Sequence, residues 1–198
     1  MFRMLSNDLP VNKKANGRNL ERGQRMETNE LKRNLAALRS GDMAAFEEIY
    51  NSLKLPAYTV IVRITRNDTL AEDILQEVFV RLYLSPPAED VKNPRAYILQ
   101  MAHHLAVDSA KKRRPDVSLE YVEETAQSAE QDLALKLDIE DAIRSLDMTD
   151  SQIVTLHLNG GLTFREVAGI LAMPLGTVLW RYQRSISKLR TKLSGGVL

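Results

Sequence analysis

Apolar residues recur at spacings of three and four over most of the chain and nowhere alternate with polar ones over a strand's length, so the pattern predicts helices throughout. The clearest period is Ala71, Ile74, Leu75, Val78, Phe79 and Leu82, with Glu72, Asp73, Gln76, Glu77 and Arg81 on the other face. Upstream, Leu31, Leu35 and Leu38 predict a first helix ending at Ser40-Gly41, and Asp42 is placed to cap a second that carries Phe46, Ile49 and Tyr50. Pro56 should bend or interrupt the chain beyond that helix, the apolar run Tyr58 to Ile64 continues the core, and Asn67-Asp68 marks a turn. Ser85-Pro86-Pro87 stops the third helix. A loop through Asn93-Pro94 leads to a fourth, with Ile98, Met101, Ala102 and Leu105 inward and Tyr97, Gln100, His104, Asp108 and Lys111 outward.

After Arg114-Pro115 no period is sustained until about Glu130, where Leu135, Ile139, Ala142, Ile143 and Leu146 start a second helical unit. Thr149 with Gln152 predicts a capping box for its next helix, which Asn159-Gly160-Gly161 can end. Thr163 with Glu166 predicts another capping box, opening a helix through Val167, Ala168, Ile170 and Leu171. A turn over Ala172 to Leu175 comes next, with Pro174 suited to a helix start because its missing N–H would have had no partner there. The last helix buries Val178, Tyr182, Ile186, Leu189 and Leu193 as one stripe. The expected fold is all-α: a disordered extension over 1–25, a helical domain over 26–114, a flexible acidic linker over 115–129 and a helix-turn-helix domain over 130–198. Met4, within the extension, and Met26, at its end, offer alternative starts to Met1.

Composition narrows the class. The absence of cysteine removes disulfides and thiolate zinc sites and suits the cytoplasm, and the longest charge-free runs, Ser151 to Phe164 and Val167 to Trp180, are too short to span a bilayer. A net charge of +1 conceals a strong segregation. From Pro115 to Asp150 eleven acids are opposed only by Lys136 and Arg144, whereas Lys111 to Arg114 is a basic cluster. From Leu175 onward Arg181, Arg184, Lys188, Arg190 and Lys192 meet no acid at all. A merely solvated helix would mix signs, and a helix-turn-helix ending in unopposed cations points to duplex DNA.

Two other readings compete. His103, His104 and Asp108, about one helical turn apart, could hold a metal and suggest an enzyme, but the one remaining histidine, His157, lies in the other unit. A stand-alone helix-turn-helix regulator is the alternative among DNA-binding proteins.

Three segments in order resemble the sigma-70 family, in its short extracytoplasmic-function form that carries only regions two and four. Ala71-Glu72-Asp73-Ile74-Leu75-Gln76-Glu77-Val78-Phe79 through Tyr83 is similar to the polymerase-binding helix. Asn93-Pro94-Arg95-Ala96-Tyr97 through Asp108 and the basic cluster is similar to the promoter-melting and minus-ten segment. Gly161-Leu162-Thr163-Phe164-Arg165-Glu166-Val167-Ala168 with Gly176-Thr177-Val178 is similar to region four. The resemblance implies a specificity subunit that binds RNA polymerase core, reads two promoter elements and catalyses nothing itself, with no cofactor and no insertion into membranes.

By position it implies that Asp73, Gln76, Glu77 and Arg81 meet the clamp coiled coil of the largest polymerase subunit. Asn93, Arg95, Tyr97, Gln100, His104 and Lys111 would contact the minus-ten element, the loop from Ser85 to Pro94 lying where the family captures a flipped base. Thr177, Trp180, Arg181, Gln183, Arg184 and Lys188 would meet the minus-thirty-five element. Leu179 and Trp180 stand where many relatives have polar residues. Trp180 either packs on sugar or a thymine methyl or belongs to a core or interface. The acidic linker would run in the RNA-exit path or act as a solvated spacer, and an anti-sigma partner is expected.

Overall fold

A computed structural model of the chain describes residues 28–112, 141–143 and 145–194. The predicted extension over 1–25, the linker over 115–129 and the helix start at Leu135 and Ile139 lie outside the described residues. Seven helices are delimited among those described: α1 (Thr28–Arg39), α2 (Met43–Thr65), α3 (Asp68–Leu84), α4 (Pro94–Lys112), α5 (Met148–Leu158), α6 (Phe164–Ile170) and α7 (Leu175–Ser194). Residues 141–143 are also helical, and no strand occurs among the described residues.

Local chemistry sets most of the boundaries. Asp42 caps α2 by accepting from the amides of Ala44 and Ala45. Arg66 then takes a left-handed φ of 50°, and Asn67 accepts from the Leu70 amide to open α3. The predicted turn at Asn67-Asp68 is thus a helix-to-helix corner. Of the bend or interruption expected at Pro56, the interruption does not occur: α2 runs through it. An internal proline costs about 3 kcal/mol, and here Leu53, Ala57, Val60 and Ile61 on either side of it are all buried, so packing carries the helix across.

The predicted capping box at Thr149 and Gln152 is not the one that forms. The N-cap of α5 is Asp147, whose carboxylate accepts from the Asp150 amide. An ionised carboxylate is a stronger acceptor than a hydroxyl and favours the positive end of the helix dipole.

In the N-terminal unit α1, α3 and α4 pack around α2, with Phe46, Tyr50, Phe79 and Tyr83 forming an aromatic cluster near one end. The α3 stripe is buried as predicted except Leu75, which is half-buried. On α4 the buried set is broader than predicted. Ile98 and Ala102 are joined by Leu99, His103 and Ala106, while Met101 and Leu105 stay half-buried. The cause is a second neighbour: α5 and α6 of the C-terminal unit pack on α2 and α4, and Ile153, Leu156 and Val167 join one continuous hydrophobic core with Leu53 and Leu99.

Candidate nucleic-acid and polymerase interfaces

The outer face of α3 presents Asp73, Gln76, Glu77 and Arg81, all exposed. Glu77 and Arg81 form an ion pair one turn apart, which fixes the orientation of the Arg81 guanidinium. At the end of α3 the chain turns at Ser85, and Arg39 of α1 ties the next loop down by donating to the Pro87 carbonyl at 2.6 Å and pairing with Glu89 at 3.3 Å.

Between α3 and α4 runs an open groove of about 510 Å³. Tyr97, Gln100 and His104 line it from α4, and Arg81 and Leu84 from α3. Three of the six residues predicted for the minus-ten element therefore converge, with an aromatic ring, an amide and an imidazole in one trough. The other three do not. Lys111 is exposed near the end of α4, and Arg95 is buried. Asn93 caps α4, its Oδ1 accepting from the Ala96 amide, and its Nδ2 donates to Glu166 of α6.

That last bond belongs to the contact between the two units. Glu166 also accepts from the Thr163 amide and hydroxyl at 2.8 Å, completing the predicted capping box. Burial pushes the Glu166 carboxyl up, but the bonds from Thr163 and Asn93 outweigh it and hold the group below the usual glutamate value. On the same side of α4, His103 Nε2 lies 3.5 Å from Gln152 Oε1 of α5. Burial lowers the basicity of His103, the Gln152 contact partly restores it, and His104 lowers it further. His103 therefore faces the C-terminal unit while His104 and Asp108 face the groove. Among the described residues no group of three or more His, Cys, Asp or Glu could hold a metal.

The C-terminal unit builds its turn as the sequence predicts. His157 stacks on Phe164 with centroids 4.0 Å apart, Tyr182 meets both rings edge-on at 4.8 to 5.0 Å, and His157 Nδ1 donates to the Leu162 carbonyl at 2.7 Å. Ala172 takes a left-handed φ of 51° in the turn, and the Pro174 carbonyl receives the amides of Thr177 and Val178 at the start of α7. Along α7 the predicted stripe is buried at Val178, half-buried at Tyr182, Ile186 and Leu189, and exposed at Leu193.

The cations of α7 divide into two sets. Arg184 and Lys188 are exposed and line a shallow hollow with Lys192. Arg181 instead turns inward. Its Nη1 donates to Asp150 Oδ1 at 2.6 Å and to Asp147 at 3.2 Å, across to the start of α5. The bond to Asp150 is the largest influence raising the Arg181 pKa, although desolvation opposes it. Burial raises the Asp147 carboxyl, but the Asp150 bonds and the charges of Arg181 and Lys188 bring it below its ordinary value.

Reasoning from sequence missed Asp147 and Asp150. A signal was present: Arg181 lies three residues after Val178 and four before Ser185, both fully buried, and so faces the α5 side of its helix. Of the other predicted contacts, Thr177 is half-buried, and Gln183 and Trp180 are exposed.

Residues 49–115 match the family model for sigma-70 region 2. The chain is 27% identical over 184 residues to the ECF RNA polymerase sigma factor SigW of Bacillus subtilis, covering 82% of this chain and 96% of that protein. It is 28% identical over 163 residues to the ECF RNA polymerase sigma factor SigK of Mycobacterium tuberculosis, covering 77% and 87%. In fold it is similar to CnrH in complex with the cytosolic domain of CnrY, with a TM-score of 0.57 at 20% identity over 83% of this chain and 97% of that one. It is also similar to the sigma factor RpoE in complex with the anti-sigma factor NepR from Bartonella quintana, with a TM-score of 0.59 at 16% identity over 75% and 96%.

Proposed function

Because the chain belongs to the sigma-70 family, in its extracytoplasmic-function branch, we propose that it directs promoter-specific initiation by RNA polymerase core, reading a minus-ten element with the N-terminal unit and a minus-thirty-five element with the C-terminal one. The observation that carries this reading is the pairing, in one chain, of the α3–α4 trough with a helix-turn-helix whose last helix exposes cations and no acid.

In this reading Asp73, Gln76, Glu77 and Arg81 dock on the clamp coiled coil of the largest polymerase subunit, where complementary charge governs register and encounter rate. Tyr97, Gln100 and His104 receive the unstacked non-template strand, the ring stacking and the other two hydrogen bonding. Arg184, Lys188 and Gln183 meet the major groove and phosphates of the upstream element. The protein supplies binding and orientation, and the polymerase supplies the chemistry. Its place of action is the cytoplasm, and an anti-sigma factor holds it in reserve, as the RpoE–NepR complex exemplifies for a structural relative.

Reconstituted transcription with core polymerase on genomic fragments tests the proposal. Transcripts starting at defined sites only when the chain is added are expected. Failure of the purified chain to associate with core would overturn the reading and leave a stand-alone helix-turn-helix regulator in its place.

A further inference from the structure

Inward rotation of Arg181 leaves the N-terminal half of the recognition helix with a surface that is chiefly apolar. Trp180 is 58% exposed, Leu175 38% and Leu179 37%, although nearby Val178 is fully buried. Gly176, one turn before Trp180, carries no side chain, and nothing lies within 4 Å of where its Cβ would be. The Arg184 guanidinium sits 5.4 Å from the ring centroid, a cation–π contact that steadies the ring. The result is an oriented aromatic plate at the end of the helix that, in a helix-turn-helix, reaches base edges.

An exposed apolar plate needs a partner with apolar surface, and its surroundings identify the class. Arg184, Lys188 and Arg190 are exposed on the same helix, which holds no acid, so the occupant is a polyanion. In the major groove of duplex DNA the one apolar group on a base edge is the C5-methyl of thymine. We propose that Trp180, flanked by Leu179, reads a thymine methyl in the minus-thirty-five element, so that this factor selects a thymine where a polar side chain would select hydrogen-bonding edges. The inference rests on the reading of α7 as the minus-thirty-five helix and adds which base it selects.

The test uses holoenzyme reconstituted from the full chain and core polymerase. Promoter duplexes randomised over the minus-thirty-five element are selected by binding, and the winner is remade with deoxyuridine for thymine, which removes only the methyl. Thymine should be enriched at one position or two adjacent ones. Deoxyuridine should weaken wild-type binding about fourfold, the size expected for one methyl-sized group withdrawn from water. The same replacement should change binding of Trp180→Gln less than twofold. Circular dichroism and equal competition for core establish that this surface variant is folded, and Leu179→Gln provides a second probe.

Selected elements without thymine, indifference of wild type to deoxyuridine, or full deoxyuridine sensitivity in Trp180→Gln would each overturn the proposal while leaving the minus-thirty-five assignment standing. Absence of any selected sequence overturns both. Unchanged promoter binding by Trp180→Gln, with lost capture of a protein partner, would make the plate a protein-docking surface and also overturn it.

Discussion

Arg181 on α7 and Asp150 on α5, 31 residues apart, are joined by a 2.6 Å ion pair in which the Asp150 side chain is 0% exposed and the arginine largely covered. This pair fastens the last helix to the rest of the C-terminal unit. It divides two cations that the sequence places side by side. Arg184→Ala should weaken use of promoters with a minus-thirty-five element and leave the thermal midpoint unchanged. Arg181→Ala should lower the midpoint, because stranding a buried carboxylate costs about 3 kcal/mol. Thermal unfolding of both variants beside a promoter-binding assay checks the split. Equal midpoints for Arg181→Ala and wild type would count against the structural role.

Two glycines should respond oppositely to alanine. A Cβ at Gly160 would stand 2.5 Å from the Leu156 carbonyl oxygen and 3.0 Å from Leu99 of α4, so Gly160→Ala should destabilise by about 1–3 kcal/mol and loosen the contact between the units. At Gly176 nothing obstructs a Cβ, and Gly176→Ala should stabilise by about 0.5 kcal/mol through helix propensity. Denaturant unfolding of the two variants distinguishes a packed position from an open one.

Stability should fall in mild acid, with His103 as one source. Its ring is buried, Nδ1 has no hydrogen-bond partner among the described residues, and burial, offset in part by Gln152, holds its pKa below the ordinary histidine value. Below about pH 6.5 the unfolded chain takes up a proton that the folded one resists, so stability is full above that pH and declines beneath it, by at most about 1.4 kcal/mol per pH unit. His103→Gln should flatten the change in unfolding free energy between pH 7.5 and 5.5. An unaltered slope would assign the effect to other groups.

The outer face of α3 yields a prediction about assembly. Asp73→Arg reverses a charge at an exposed site without touching the buried stripe, so folding should be unaffected while affinity for core polymerase falls about tenfold. Competition against wild type for a limiting amount of core measures this directly. Equal competition would remove Asp73 from the docking surface.

The range of the forces involved separates the features legible in the sequence from those that were not. The α3 period, the capping box at Thr163 and Glu166 and the helix-turn-helix were legible because each rests on residues within one or two turns of one another, where helical geometry alone dictates who meets whom. Pro56 inside a continuous helix, Asp147 rather than Thr149 at a helix start, Arg181 turned to Asp150, and Asn93 joined to Glu166 73 residues away were decided only in the folded chain. Periodicity tells which side of a helix is apolar. Whether a polar side chain beside that stripe faces water or a partner depends on which distant helix arrives there, and that is settled by packing of the whole core.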